Sequence, residues 1–128
     1  VGIEIPDSRF VDFAMAGAPQ LIAECACADW YVLGEHAPDD WRNVDLRAHR
    51  AFVHRNGALV AEGVGANVLG DPWLAMLWIA NELREFGPGL RAGAFVTTGA
   101  CVVPQPVLPG DRVTGDFGLL GRVTVDLT

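Results

Sequence analysis

Lysine is absent from this chain: all nine basic residues are arginines. That excludes Schiff-base chemistry and a lysine general base among its 128 residues. Serine occurs once, as Ser8, outside any G-x-S-x-G nucleophile elbow. No apolar run approaches the roughly eighteen residues of a membrane span, and Val1 opens no signal-peptide pattern, so neither a membrane partner nor secretion is expected. The three cysteines, Cys25, Cys27 and Cys101, form no CxxC pair, and no Cys/His quartet has zinc spacing. Free thiols in a reducing, cytoplasmic setting are expected. Positive charge is scarce too. A net charge of −7 leaves no nucleic-acid footprint. An acidic chain that binds a small anion must do so locally, through a metal, an arginine or backbone N–H groups.

What is present suits one packed domain spanning 1–128. Half the residues are hydrophobic (51%) and a fifth are charged (20%), outside the range of disordered chains. The chain opens mid-strand on Val1-Gly2-Ile3-Glu4-Ile5, without Met, and is expected to be the cut edge or processed end of something longer. Asp7 or Ser8 is placed to cap a helix running through Ala16, and Pro19 to begin another reaching about Ala28. Trp30 to Gly34 reads as a strand. Leu46–Arg55 and Ala58–Val64 flank Asn56-Gly57, the signature of a type I′ hairpin. Asp71-Pro72 starts a helix whose apolar residues Trp73, Met76, Leu77, Ala80 and Leu83 recur at helical spacing, and Gly87-Pro88-Gly89 stops it. That periodicity predicts a helix docked on a sheet. Ala94–Thr98 reads as a strand, Pro109-Gly110-Asp111 as a turn, and Arg112–Phe117 with Gly121–Leu127 as a second hairpin. These elements make an α+β domain with mostly antiparallel pairing.

Several motifs carry little chemistry. Gly63-x-Gly65 with Gly70 is not a dinucleotide fingerprint, because the following helix opens on Asp71-Pro72 and not on glycine. Asp116-Phe117-Gly118 mimics a kinase triplet in a chain far too short for a kinase. His49 and His54, five apart on an expected strand, face opposite sides and share no metal. Glu4 alternates with Ile3 and Ile5. It is either an edge-strand carboxylate in water or an oxygen ligand for a hard cation. Thr97-Thr98-Gly99-Ala100 is either a plain turn or an anion-holding one.

Taken in order, the pieces resemble one family. They are Glu4-Ile5-x-Asp7-Ser8-Arg9, Val32-Leu33-Gly34, Gly63-x-Gly65-x-x-Val68-Leu69-Gly70-Asp71-Pro72, Trp78-x-Ala80-Asn81-x-Leu83, Leu90-x-Ala92-Gly93, Thr98-Gly99-Ala100, Pro109-Gly110-Asp111-x-Val113 and Phe117-x-x-Leu120-Gly121-x-Val123. Together they resemble the C-terminal half of the 2-keto-4-pentenoate hydratase and 4-oxalocrotonate decarboxylase family, in the fumarylacetoacetate hydrolase superfamily. The resemblance implies a mixed, mostly antiparallel β-roll or pseudo-barrel with flanking helices. It implies Mg²⁺ or Mn²⁺ held by three carboxylates and chelating a small 2-oxo or 2-hydroxy dienoic acid.

Glu4 matches the third metal carboxylate. The Glu-x-Glu pair and the catalytic lysine of the family lie upstream of this piece, so no catalytic residue is assigned within it. Thr98 and Gly99 match the segment closing over the substrate carboxylate. Leu33, Gly34 and Asp29 fall in the segment flanking the pocket. Cys27-Ala28-Asp29-Trp30 departs from the small residues usual there and is expected to narrow or recharge the pocket. The implied activity is a metal-dependent hydratase of 2-hydroxypenta-2,4-dienoate-like acids in aromatic or steroid meta-cleavage catabolism. Its alternatives are a non-catalytic truncated paralogue acting as partner subunit and a 4-oxalocrotonate-type decarboxylase. The family's habit implies a homo-oligomer, and the missing pieces imply a second subunit or an N-terminal half.

Overall fold

The computed structural model describes all 128 residues, Val1–Thr128. Six strands form two antiparallel sheets. Strands β1 (Gly2–Ile5) and β2 (Trp30–Leu33) make a two-stranded sheet. Strands β3 (Arg50–Arg55), β4 (Ala58–Val64), β5 (Arg112–Asp116) and β6 (Arg122–Asp126) make a four-stranded sheet ordered β4-β3-β5-β6. Two α-helices, α1 (Ala18–Ala23) and α2 (Pro72–Phe86), lie outside them.

Local chemistry explains the sheet. Asn56 and Gly57 both take positive φ (53° and 84°), as a type I′ turn demands. The Asn56 side chain then ties two turns together. Its amide donates to Asp111 Oδ1 at 2.7 Å, and its Oδ1 accepts from the Arg112 backbone N–H at 2.8 Å. In β5 and β6 the residues alternate cleanly. Val113, Gly115 and Val123 are buried, whereas Arg112–Asp126 and Asp116–Arg122 form ion pairs on the outer face and the Thr114 and Thr124 hydroxyls hydrogen-bond between them. Gly115 leaves room for Ile3, whose side chain would crowd any Cβ there, and Gly34 sits against Val123. These two approaches seat the small sheet on the large one.

Three expected elements differ. The helix expected over residues 7–16 is reduced to a 3₁₀ turn at Phe13–Met15. The Ser8 hydroxyl is committed to Glu24, and residues 9–15 stay exposed. So short a helix gains no docking face, and isolated helices under about 12 residues are marginal. Helix α1 stops at Ala23 because Cys25, Ala26 and Cys27 all adopt left-handed conformations (φ 60°, 55° and 64°). Residues 94–98 pair with no strand; side chains grip this region instead. Tyr31 stacks on Phe95 at 5.7 Å, Asn67 donates to the Cys101 carbonyl and Arg55 to the Pro106 carbonyl.

Helix α2 begins as expected, with Asp71 Oδ1 accepting from the Trp73 N–H at 2.9 Å. It is not docked as expected. None of its residues is buried, and Trp73, Leu74, Leu77 and Trp78 are each half exposed or more. No helix of the chain is long and apolar enough to cross a membrane.

Candidate active-site cleft

One large cleft, about 760 Å³, opens between β1, the inner face of the four-stranded sheet and residues 95–107. Glu4, Leu33, Thr98 and Gly99 all line it. Glu4 is its only carboxylate. Glu4 lies opposite Tyr31 in the β1–β2 register, and directly opposed antiparallel residues share a face. Burial, and then the Glu4 charge, push the Tyr31 phenol above its ordinary pKa. A phenol kept neutral beside a carboxylate remains a hydrogen-bond donor. The sequence reading missed Tyr31. The period-two alternation of Trp30–Leu33, which sets residues 31 and 33 on one face, was the available signal.

The Thr98–Gly99 side of the cleft is pinned by close backbone approach. A Cβ on Gly63 would overlap the Cys101 carbonyl, and a Cβ on Gly65 would overlap the Leu46 carbonyl. The Gly-x-Gly motif therefore serves packing. Gly99 itself has φ +126°, and neither the Thr98 nor the Gly99 N–H donates to another backbone group. Two amides without backbone partners beside a threonine hydroxyl suit an anionic oxygen.

The other two expected pocket residues lie elsewhere. Asp29 lines a small polar recess with Asp7, Ser8, Arg9, Glu24 and Ala28. Gly34 is not among the cleft-lining residues, although its N–H donates to the carbonyl of Val1, which is. Trp30 is 68% exposed and lines neither. His49 precedes β3, and its Nε2 lies 2.6 Å from the Phe117 carbonyl oxygen.

The small recess is built around Glu24, a buried carboxylate. Its Oε1 accepts from the Ser8 hydroxyl at 2.7 Å and from the Cys27 thiol, and its Oε2 accepts from the Arg9 N–H at 3.1 Å. The Ser8 bond is the main reason its pKa is lowered. Burial and the neighbouring Glu24 hold the Cys27 thiol above its ordinary pKa. The Asp7 N–H donates to the Cys27 carbonyl, which closes the clamp between the end of β1 and the left-handed turn before β2.

Nowhere do three His, Cys, Asp or Glu side chains gather to hold a metal ion. Glu4 fits a hard cation as one oxygen donor, but such a cation takes about six ligands. The remaining carboxylates of a three-carboxylate site do not come from this chain's own cleft.

No protein-family model matches the sequence. Relatives and solved structures do. The 4-oxalocrotonate decarboxylase of Pseudomonas putida is 34% identical over 122 residues, 95% of this chain and 46% of the relative. The 2-keto-4-pentenoate hydratase of Paraburkholderia xenovorans is 35% identical over 124 residues, 97% of this chain and 45% of the relative. The structure of the 4-oxalocrotonate decarboxylase from Pseudomonas putida G7, complexed with magnesium and adipate, superposes with a TM-score of 0.87 at 32% identity, over 99% of this chain and 48% of that one. The same enzyme complexed with calcium and acetate gives 0.84. The fold is thus of the fumarylacetoacetate hydrolase type. The chain corresponds to the C-terminal half of the 4-oxalocrotonate decarboxylase and 2-keto-4-pentenoate hydratase family. It spans about half the length of the relatives it matches.

Proposed function

We propose that this chain is the C-terminal part of a cytoplasmic, homo-oligomeric hydro-lyase. Its substrate class is the small 2-hydroxy-2,4-dienoic acids of aromatic ring catabolism, and its cofactor is Mg²⁺ or Mn²⁺. The observation that carries the reading is the convergence of Glu4, Tyr31, Thr98 and Gly99 on one cleft. The magnesium and calcium bound by the related decarboxylase support a divalent ion. When bound, that ion supplies Lewis-acid stabilisation of an enolate. The rest falls to side chains and amides. Glu4 provides one anionic oxygen at the metal end. The Thr98 hydroxyl and the Thr98 and Gly99 N–H groups receive the substrate carboxylate. The Tyr31 phenol, neutral across the physiological range, donates a hydrogen bond near Glu4.

A second reading is the decarboxylase, supported by the likeness to the Pseudomonas putida enzyme in both sequence and structure. One assay separates them. The intact protein is mixed with 2-hydroxypenta-2,4-dienoate or with 4-oxalocrotonate, with and without Mg²⁺, while dienoate absorbance and CO₂ are followed. Metal-dependent loss of the dienoate without CO₂ is expected. CO₂ release from the diacid would instead establish the decarboxylase, and no turnover of either acid would leave the partner-subunit role. Glu4→Gln is expected to lower metal-dependent turnover by about 10²-fold or more, since a metal ligand's charge is lost.

A further inference from the structure

The tip of the β3–β4 hairpin joins two groups that react with each other. Asn56 is followed directly by Gly57, and both are exposed. The amide carbon of an asparagine lies where the next backbone nitrogen closes a five-membered ring upon it, which is one way asparagine is thermolabile. Glycine in the second position carries no Cβ to hinder that approach. A Cβ on Gly57 would meet nothing within 4 Å, so no other element covers the tip.

The fold holds the reacting side chain elsewhere. The Asn56 amide donates to Asp111 Oδ1 at 2.7 Å, and its Oδ1 accepts from the Arg112 N–H at 2.8 Å. The Asn56 backbone N–H donates to the Arg112 carbonyl, also at 2.8 Å. Both ends of the side-chain amide are therefore committed to the turn before β5. Attack by the Gly57 nitrogen requires that both of these side-chain bonds open.

We propose that Asn56 is a site of covalent modification, kept silent by its clamp to Asp111 and Arg112 and converted to aspartate or isoaspartate when the clamp opens. The Gly57 nitrogen attacks Asn56 Cγ. The N–Cγ bond forms, the Cγ–Nδ2 bond breaks, and the Gly57 amide proton departs with Nδ2 as ammonia. Water then opens the cyclic imide. Cleavage at Cγ restores the ordinary chain with an aspartate, and cleavage at the backbone carbonyl reroutes the chain through the side chain as isoaspartate. Water is the one co-reactant, and one ammonia is released per site.

Neither product remakes the clamp. An aspartate has lost the amide donor and sets a second carboxylate against Asp111, where like charges oppose each other. An isoaspartate lengthens the backbone of a two-residue turn. The consequence reaches the cleft, because the same tip grips its wall. Asp111 Oδ2 accepts the Leu108 N–H at 2.9 Å, and the Arg55 guanidinium donates to the Pro106 carbonyl at 2.6 Å. Residues 104–107 between these anchors line the cleft. Conversion of Asn56 thus loosens that wall, whichever acid the cleft receives.

The intact protein and a synthetic peptide spanning residues 51–61 are incubated side by side at mildly alkaline pH. Mass spectrometry of the fragment bearing Asn56 follows the one-dalton gain, and isoaspartate is assayed directly. Conversion in the folded protein is expected to be slower than in the peptide by about tenfold or more, since two hydrogen bonds must open first. Asp111→Ala removes one of them and should speed conversion by about threefold or more. Asp71→Ala, which weakens a helix cap elsewhere, should not. Converted protein, separated by its extra negative charge, should exchange the Leu108 amide hydrogen about tenfold faster than unconverted protein. Equal rates in protein and peptide would overturn the proposal, and that comparison needs no variant. So would an Asp111→Ala protein that melts cooperatively yet converts no faster, or unchanged exchange at Leu108 after conversion.

Discussion

At the scale of single residues, backbone strain is concentrated in the segment joining β1 to β2. Three consecutive non-glycine residues in the left-handed region are costly, at roughly 1–2 kcal/mol each. They persist because the bonds of Glu24 to Ser8, Arg9 and Cys27 over-determine the turn. Ala26 makes no side-chain hydrogen bond, so Ala26→Gly is expected to stabilise the chain by about 0.5–1 kcal/mol, the strain relieved less glycine's entropy. A rise in urea midpoint at unchanged slope would show it. Glu4 and Thr98 illustrate what residue types reveal. A lone carboxylate between isoleucines had two readings, and its place in a cleft beside Tyr31 came from strand pairing. Gly34, next to the lining residue Leu33, and Asp29, just before β2, lie outside the cleft lining, and Asp29 faces the recess that the left-handed turn builds.

At the scale of elements, turns and caps were legible and extents were not. Asn56-Gly57, Pro109-Gly110-Asp111 and Asp71-Pro72 act where their chemistry says, because each needs partners only a few residues away or at one adjoining turn. Asp71→Ala is expected to cost about 1 kcal/mol, the usual loss of an N-cap, with a drop in helical circular dichroism as well as in melting temperature. The turn carboxylates also set a pH dependence. Asp111 has its pKa lowered chiefly by the Leu108 N–H and then by Asn56; Asp116 is lowered chiefly by Arg122. A depressed folded pKa contributes stability that is complete above the unfolded value, near 3.8, and is lost as the pH falls through the lower folded one. Urea midpoints measured from pH 7 downward are therefore expected to hold until the carboxylate range and then fall. Asp111→Asn should flatten that fall while lowering the midpoint at neutral pH. The strand expected at 94–98 failed as an element because a ladder needs a partner edge. Its apolar pattern was real, but single side chains hold that region and no strand does.

At the scale of the whole molecule, the core is small and lies mostly on or beside one sheet, with Val68, after β4, the exception. Eight of 128 residues are buried, among them Ala51, Val113, Leu120 and Val123 on or beside the four-stranded sheet. The 62 backbone hydrogen bonds fall short of the roughly 90 customary for this length. Protection against hydrogen exchange is expected to be highest in β3, β5 and β6 and low in α2 and residues 95–107. Equal protection of α2 and β5 in the isolated chain would contradict this picture.

The sequence by itself determined the local devices: the hairpin tips, the helix start and stop, and an order of motifs specific enough to indicate the family. These depend on backbone preference and on partners a few bonds away, which residue identity dictates. The tertiary structure alone decided which apolar faces are covered. It left α2 bare although its periodicity is that of a docked helix, and it brought Glu4 from one end of the chain to Thr98 and Gly99 near the other. Periodicity records that a face seeks cover. Whether cover arrives depends on what surface lies opposite, and for α2 and the inner cleft this chain offers none.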